Sequence, residues 1–344
     1  MDQVTGAYVW AGLIGLMLAL YVMLDGFDLG VGVLSLLTRD RRLRPLMMAN
    51  IGAIWDANET WLIVAGGALF GAFPLAYSVA LNAFYIPISI MIFGLAFRAV
   101  SFEFGAHSRR KALWERAFGV GSLMAVLGQG FTVGGLLGGV KVSDGAFAGG
   151  AWDWANGLSA LIALAVTMAY VTIGAAYLQT RTAEHLAKPV RRWLIAASIM
   201  MAAAALAATA VMPFLQQRVL ENWIARKTQY FLPGLAIGAV FGFAMLIVTT
   251  VFRSRTHWPF YLSLLVFLLT LAGGIAVMYP YAIPPSITVP QAAASRETLV
   301  FMLIGIGPLV PVMLLYNAYL YRVFLRPEKS AKFEDRSSKL ESGE

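Results

Sequence analysis

The chain has 344 residues, of which 59% are hydrophobic and 13% charged, and its formal net charge is +8. Soluble domains contain about 45–50% apolar and about 25% charged residues, so this composition excludes an ordinary soluble globular protein. The absence of cysteine excludes disulfides, cysteine-bound zinc and iron–sulfur clusters. The positive charge does not indicate a nucleic-acid-binding protein, because the basic residues lie in short segments between apolar stretches.

Apolar stretches of about 20 residues recur along most of the chain, and each is long enough to cross a hydrocarbon core of about 30 Å. They predict an all-α polytopic membrane protein with nine transmembrane helices. Residues 1–325 are predicted to form a single transmembrane domain, and residues 326–344 a short charged tail without ordered structure. The predicted spans are 8–37, 50–73, 79–102, 116–139, 156–179, 193–215, 231–252, 259–279 and 298–321.

The distribution of basic residues predicts the orientation. Twenty of the 26 lysines and arginines follow the odd-numbered spans, counting those of the C-terminal tail, and five lie in the segments on the other side. Cytoplasmic loops carry the excess of basic residues. We therefore expect the N-terminus outside (periplasmic) and the C-terminus in the cytoplasm of a bacterial inner membrane.

Glycine and proline predict how the spans pack and where they bend. Glycines recur four residues apart in several spans, a spacing that lets membrane helices approach closely. Pro308 and Pro311 should kink the ninth span. Four prolines in residues 280–297 predict an ordered loop rather than a helix.

Five ionisable residues lie within the first three spans: Asp25 and Asp28, Asp56 and Glu59, and Arg98. The members of each acidic pair are three residues apart and share one helix face. A charged group at the centre of a bilayer costs about 2.5–3.5 kcal/mol on insertion scales. The three spans place these residues at similar depths, so we expect one buried polar cluster that all three spans share.

Two interpretations of this cluster remain open. In the first it is an ion-pair network that holds the helices in register. In the second it is a proton path from the cytoplasm, which excess carboxylates at one depth favour. The carboxyl group nearest Arg98 is expected to stay ionised, while the others can carry a proton near neutral pH. Glu103, six residues before Arg109, is a candidate cytoplasmic entrance.

Histidine is absent from the predicted spans. His107, His185 and His257 are all expected in cytoplasmic loops. A haem buried in the membrane usually needs an axial histidine, methionine, cysteine or tyrosine, most often histidine. If the protein belongs to a haem enzyme, the haems are therefore expected on a partner, and no metal site is expected on this chain.

Three blocks of sequence resemble subunit II of the cytochrome bd-type quinol oxidases, including the cyanide-insensitive branch. They are residues 24–32 (LDGFDLGVG), 55–70 (WDANETWLIVAGGALF) and 96–104 (AFRAVSFEF). A weaker similarity continues at residues 177–181 and 279–280, so the resemblance covers most of the chain.

The resemblance implies a haem-free subunit that pairs with a larger subunit I carrying haem b and haem b or d together with the quinol site. Such a heterodimer oxidises quinol and reduces dioxygen to water with protons from the cytoplasm. Small single-helix accessory subunits, and a structural quinone in this subunit, occur in some family members.

The resemblance also assigns roles to particular residues. Asp25 and Asp56 match the intramembrane acids that are proposed to supply protons, and Glu59, which some relatives replace by glutamine, is grouped with them. Asp28 and Arg98 match residues important for assembly. With them we group two neighbours of the second acidic pair as a buried polar network, namely Trp55 and Asn58.

Two alternatives stay open beside the oxidase subunit. One is a stand-alone proton- or ion-coupled transporter that uses the same acidic residues, although no internal repeat supports it. The other is a purely structural partner without a role in proton transfer.

Overall fold

The computed structural model describes residues 1–38, 40, 42–181, 184–215, 231–252 and 257–324, with the backbone alone for residues 106, 184–188 and 231. Within these residues, eight helices are long and apolar enough to cross a membrane. A ninth span is obtained if two helices joined by a sharp bend are counted as one. The chain is an integral membrane protein of predominantly helical structure, in agreement with the predicted class.

Thirteen helices and two short hairpins make up the described chain. The helices are α1 (Gln3–Leu37), α2 (Leu43–Ala49), α3 (Trp55–Ala72), α4 (Pro74–Ala83), α5 (Tyr85–His107), α6 (Lys111–Gly138), α7 (Gly157–Arg181), α8 (Glu184–Leu215), α9 (Phe231–Phe252), α10 (Trp258–Met278), α11 (Val289–Ala292), α12 (Arg296–Ile306) and α13 (Leu309–Phe324). The strands are β1 (Val142–Ser143) with β2 (Ala146–Phe147), and β3 (Tyr281–Ile283) with β4 (Ile287–Thr288), both pairs antiparallel.

Helix α1 lies at the centre of the bundle. It packs against α3, α6 and α7, and every residue from Asp25 to Ser35 is buried. An amphipathic surface helix would bury only one stripe, so this half of α1 is enclosed by protein on all sides. Its polar residues therefore face other helices and not lipid.

The glycine spacing predicted close packing, and the structure confirms it in α6. A Cβ atom at Gly130 would lie 2.5 Å from the Cα atom of Ala163 on α7, and one at Gly134 would lie 2.5 Å from the Cα atom of Ser159. At Gly67 a Cβ atom would meet nothing within 4 Å among the described residues, so the close approach stays a prediction there.

The predicted second and third spans have different boundaries in the structure. Helix α3 begins only at Trp55 and ends at Ala72, and α4 leaves it at a bend of 118°. Pro74 is the first residue of α4, where its missing N–H is not needed for a helical hydrogen bond. A proline also disfavours helical backbone angles at the residue before it, here Phe73. Residues 79–83, predicted to open the third span, therefore belong to α4, and the spanning helix α5 begins at Tyr85.

Residues 280–297 are ordered as predicted, but they are not a simple loop. They form the β3–β4 hairpin, the single turn of α11 and the first residues of α12. The predicted kink of the ninth span is a break between α12 and α13 at Gly307 and Pro308. The charged tail 326–344 lies outside the described residues.

Candidate functional site

A buried arginine on α5 joins the first three predicted spans. The Nη1 atom of Arg98 donates to Oδ1 of Asp25 on α1 at 2.6 Å, and its Nη2 atom donates to Oε2 of Glu59 on α3 at 2.8 Å. The side chains of Arg98 and Asp25 have no exposed surface, whereas that of Glu59 is 17% exposed. Two carboxylates thus share one guanidinium group. The sequence predicted one carboxyl group beside Arg98, and the structure places two there.

Aromatic side chains close the cluster on the side where α3 begins. The ring of Trp55 stacks on Phe102 with centroids 5.1 Å apart, and the guanidinium carbon of Arg98 lies 5.9 Å from the centroid of Trp55. A cation over the face of an indole is attracted by the negative face of the ring. Trp55 therefore contributes to the environment of Arg98, within the predicted polar network.

A second hydrogen-bonded group lies one turn further along α1. The Nδ2 atom of Asn58 donates to Oδ2 of Asp28 at 2.8 Å and to the carbonyl oxygen of Leu24 at 3.1 Å. The hydroxyl group of Tyr321 on α13 donates to Oδ1 of Asn58 at 3.0 Å. Asp28 and Asn58 are both fully buried. This arrangement ties α13 to α1 and α3, and Asp28 makes no contact with Arg98 of hydrogen-bonding length among the described side chains.

Asp56 lies outside the buried cluster, contrary to the expectation from its spacing. Asp56 is exposed on the surface of this chain, while Glu59, one turn later, is half-buried. Residues three apart on a helix differ by about 60° in direction, enough to place one at the rim and the other in the interior. Glu103 is also exposed, close to the C-terminal end of α5, and it belongs to neither hydrogen-bonded group.

A third polar group was not found from the sequence. The hydroxyl group of Tyr170 on α7 donates to Oε1 of Gln129 on α6 at 2.8 Å, and Nε2 of Gln129 donates to the hydroxyl oxygen of Tyr21 on α1 at 2.6 Å. All three side chains are buried. Gln129 is a polar residue in the middle of an apolar span, and such residues commonly hydrogen-bond across membrane helices. That signal was available in the sequence.

The histidines lie at helix ends. His107 is the last residue of α5 and His257 directly precedes α10, and both are exposed. The side chain of His185 lies outside the description. Within the described part of the chain, no three histidine, aspartate or glutamate side chains form a group that could hold a metal ion.

Comparison with known proteins agrees with the sequence motifs. Residues 6–324 match the family model described as cytochrome bd terminal oxidase subunit II. The chain is 30% identical over 354 residues to cytochrome bd-I ubiquinol oxidase subunit 2 of Escherichia coli strain K12, covering 91% of this chain and 93% of that protein. It is 28% identical over 330 residues to cytochrome bd ubiquinol oxidase subunit 2 of Bacillus subtilis strain 168, covering 92% and 95%.

The same architecture occurs in a solved structure. A chain of the bd oxidase from Geobacillus thermodenitrificans superposes with a TM-score of 0.76 at 18% identity, covering 93% of this chain and 99% of that chain. At this identity the likeness shows the fold, while the family match covers almost the whole chain. The oxidase subunit is thus favoured over the stand-alone transporter. The chain belongs to the family of cytochrome bd terminal oxidase subunit II and is a subunit of an oxidoreductase complex.

Proposed function

We propose that this chain carries protons from the cytoplasm to a haem-bearing partner subunit through Asp56, Glu59 and Asp25. The observation that carries the proposal is a graded burial of three carboxyl groups. Asp56 is exposed, Glu59 is half-buried one turn later on α3, and Asp25 is fully enclosed on α1. Glu59 and Asp25 bind the same guanidinium group, which keeps them close to one another.

The charge balance of the cluster supports proton uptake. With both carboxylates ionised, Arg98 compensates one of two negative charges, and an uncompensated charge in a membrane interior is costly. A proton shared between Glu59 and Asp25 would neutralise the excess while Arg98 stays charged. When the proton moves from one acid to the other, the net charge of the cluster and the charge of Arg98 would both stay the same.

The exposure of Asp56 supports a partner at this surface of α3. A carboxylate on a membrane helix is costly where it faces lipid, and such residues almost always face protein or a water-filled cavity. The relatives named above are each subunit 2 of a ubiquinol oxidase. We assign the covering chain to subunit I of the complex, in a multi-pass assembly of the bacterial inner membrane with the N-terminus outside.

The haems are assigned to that partner. A haem buried in the membrane usually takes an axial histidine, and the described histidines of this chain are exposed at helix ends. The described histidines therefore do not fit as axial ligands of a haem buried in the membrane. Haem b, and haem b or d, would belong to subunit I with the quinol-oxidising site. This chain would contribute packing and proton transfer, while accessory subunits and a structural quinone stay expectations of the family resemblance.

The substitution Asp56→Asn tests the proton path, because an amide keeps the size of the side chain but cannot ionise. Quinol-dependent oxygen uptake per haem is expected to fall by about tenfold or more. The haem content, measured from the reduced-minus-oxidised visible spectrum of the purified complex, should be unchanged. Asp144→Asn, the same chemical change in the turn between β1 and β2, serves as the control and should leave uptake unaltered.

Unchanged turnover in a fully haem-loaded Asp56→Asn complex would contradict the proton path. The chain would then be a structural partner of subunit I. The assignment of the haems is tested separately by expressing the chain without partners. The isolated chain is expected to be colourless, whereas the complex purified from native membranes should show haem bands and oxygen uptake. Haem bands in the isolated chain would show that this subunit binds haem itself.

A further inference from the structure

The hydrogen-bonded group formed by Tyr170, Gln129 and Tyr21 ends beside the proposed proton path. Tyr21 precedes Asp25 by four residues on α1, so the two side chains lie on the same helix face one turn apart. Tyr21 and Asp25 are both buried in the interior of the bundle. Three helices, α1, α6 and α7, therefore hold a polar side chain next to the most deeply buried acid of the path.

The donors and acceptors of this group determine where the Tyr21 hydrogen can point. Tyr170 donates to Oε1 of Gln129, which fixes that end of the amide as the acceptor. The amide nitrogen then donates to the hydroxyl oxygen of Tyr21. Because a hydroxyl group has one hydrogen and Tyr21 is already an acceptor in this bond, its own hydrogen remains available for another partner.

Asp25 has the matching free position. Its Oδ1 atom accepts from Arg98, whereas Oδ2 is buried and accepts no hydrogen bond from the described residues. Buried polar atoms without a partner are uncommon, and a carboxylate oxygen in that state is costly.

We infer that Tyr21 is a positioning residue that donates to Oδ2 of Asp25, and that Gln129 and Tyr170 hold it in this orientation. The inference rests on the proposed role of Asp25 in proton transfer. With Arg98 on one oxygen and Tyr21 on the other, the carboxyl group is fixed in rotation. Its Oδ1 atom then stays on the guanidinium group that Glu59 also binds, and its Oδ2 atom faces Tyr21.

The test uses the purified, haem-loaded complex. Tyr21→Phe removes the donor and keeps the ring, so kcat for quinol-dependent oxygen uptake per haem should fall by about tenfold with an unchanged KM for quinol. Tyr170→Phe leaves Tyr21 in place but frees the amide of Gln129 to turn, and a smaller loss of about threefold is expected. Tyr177→Phe is the matched control, since this buried hydroxyl group on α7 donates to the backbone oxygen of Asn50 and should leave kcat unaltered.

A structural role alone would lower the amount of assembled, haem-containing complex and leave kcat per haem unchanged. That outcome in Tyr21→Phe would overturn the inference. Should Tyr21→Phe fail to assemble, Tyr170→Phe decides alone. An experimental structure of the complex gives an independent test, with the Tyr21 oxygen expected within about 3.2 Å of Oδ2 of Asp25. A separation beyond about 3.5 Å would also overturn it.

Asp25→Asn separates this inference from the proposed function. Slow turnover in Asp25→Asn with normal kcat in Tyr21→Phe would remove the positioning role and leave the proton path. Normal kcat per haem in Asp25→Asn would remove Asp25 from the path, and the positioning role of Tyr21 with it.

Discussion

Gly30 on α1 and Gly174 on α7 lie against one another without side chains between them. A Cβ atom at Gly174 would lie 2.7 Å from the carbonyl carbon of Gly30, and one at Gly30 would overlap the carbonyl oxygen of Tyr170. Small residues let the backbones of membrane helices approach in this way. The contact places the backbone of Tyr170 against α1, and the side chain of Tyr170 belongs to the hydrogen-bonded group that ends at Tyr21.

The first prediction follows from this contact. Gly174→Ala should separate α1 from α7 and lower the yield of haem-loaded complex, because backbone atoms cannot move aside as a flexible side chain can. Overpacking typically costs about 1–3 kcal/mol. Thermal inactivation of oxygen uptake in detergent measures the loss. Gly12→Ala, also on α1, is the control, since its Cβ atom would meet nothing within 4 Å in the part of the chain that the structure describes. Equal stability of the two variants would contradict the close contact.

The positions of the buried acids could be predicted from the sequence, but not all of their partners. Asp25 and Arg98 lie deep within apolar spans, so they are expected in the membrane. Because a charged side chain that faces lipid is costly in free energy, both are expected to face protein. Spacing along one helix cannot decide which neighbour supplies the partner. The assignment of Glu59 to Arg98 therefore needed the packing of α3 against α1 and α5.

The exposure of Asp56 could not be predicted for a related reason. Its spacing from Glu59 places both acids on one broad face of α3, and the edge of that face depends on how the helix is rotated against α1. The bend at Phe73 is different, because Pro74 marks it in the sequence. The predicted second span ends just before Pro74, but only the direction of α4 shows that Pro74 is the first residue of a new helix.

A second prediction concerns a hydrogen bond between α1 and α12. The indole nitrogen of Trp10 donates to the carbonyl oxygen of Leu299 at 2.9 Å in a buried position. Trp10→Phe removes the hydrogen bond to α12, although the oxygen keeps its bond within that helix, and should destabilise the complex by about 0.5–1.5 kcal/mol beyond the loss of ring volume. Trp61→Phe is the matched control, because Trp61 is equally buried and its indole nitrogen finds no acceptor in the described part of the chain. A larger loss of thermal stability in the Trp61 variant would contradict the prediction.

A third prediction concerns an ion pair on the surface, in the segment that connects α6 to α7. The Lys141 ammonium group donates to Asp153 at 3.0 Å, and this hydrogen bond, with one from the backbone of Gly150, lowers the pKa of the Asp153 carboxyl group. A group whose pKa is lowered by folding stabilises the folded state above its ordinary pKa, near 4, and loses that contribution as the pH falls through the folded value.

Lys141→Met should therefore lower the thermal midpoint slightly at pH 7 and have less effect at pH 3. Both side chains are largely exposed, at 74% and 41%, so solvent screens the pair and the shift at pH 7 should stay below about 2 °C. Melting curves of the two proteins at the two pH values measure it. A larger difference at pH 3 than at pH 7 would reverse the sign and exclude this origin.

The fourth prediction separates the cost of breaking the buried ion pairs from the cost of replacing them. Arg98→Met leaves Asp25 and Glu59 without their cation inside the bundle, which for a buried pair costs about 3–5 kcal/mol. Little assembled complex is expected, measured as haem per total protein after purification. The triple variant Arg98→Met, Asp25→Asn and Glu59→Gln removes both carboxylates with the cation, so assembly should return in large part.

Oxygen uptake by the triple variant then distinguishes the two roles of the cluster. If the cluster serves only to hold helices in register, a neutral cluster that assembles should turn over at the normal rate per haem. If Glu59 and Asp25 pass protons, the assembled variant should stay slow, because amides of the same size cannot exchange a proton in their place. Since haem content is measured on the same sample, poor assembly is not mistaken for slow proton transfer, and a normal rate would contradict proton transfer through Glu59 and Asp25.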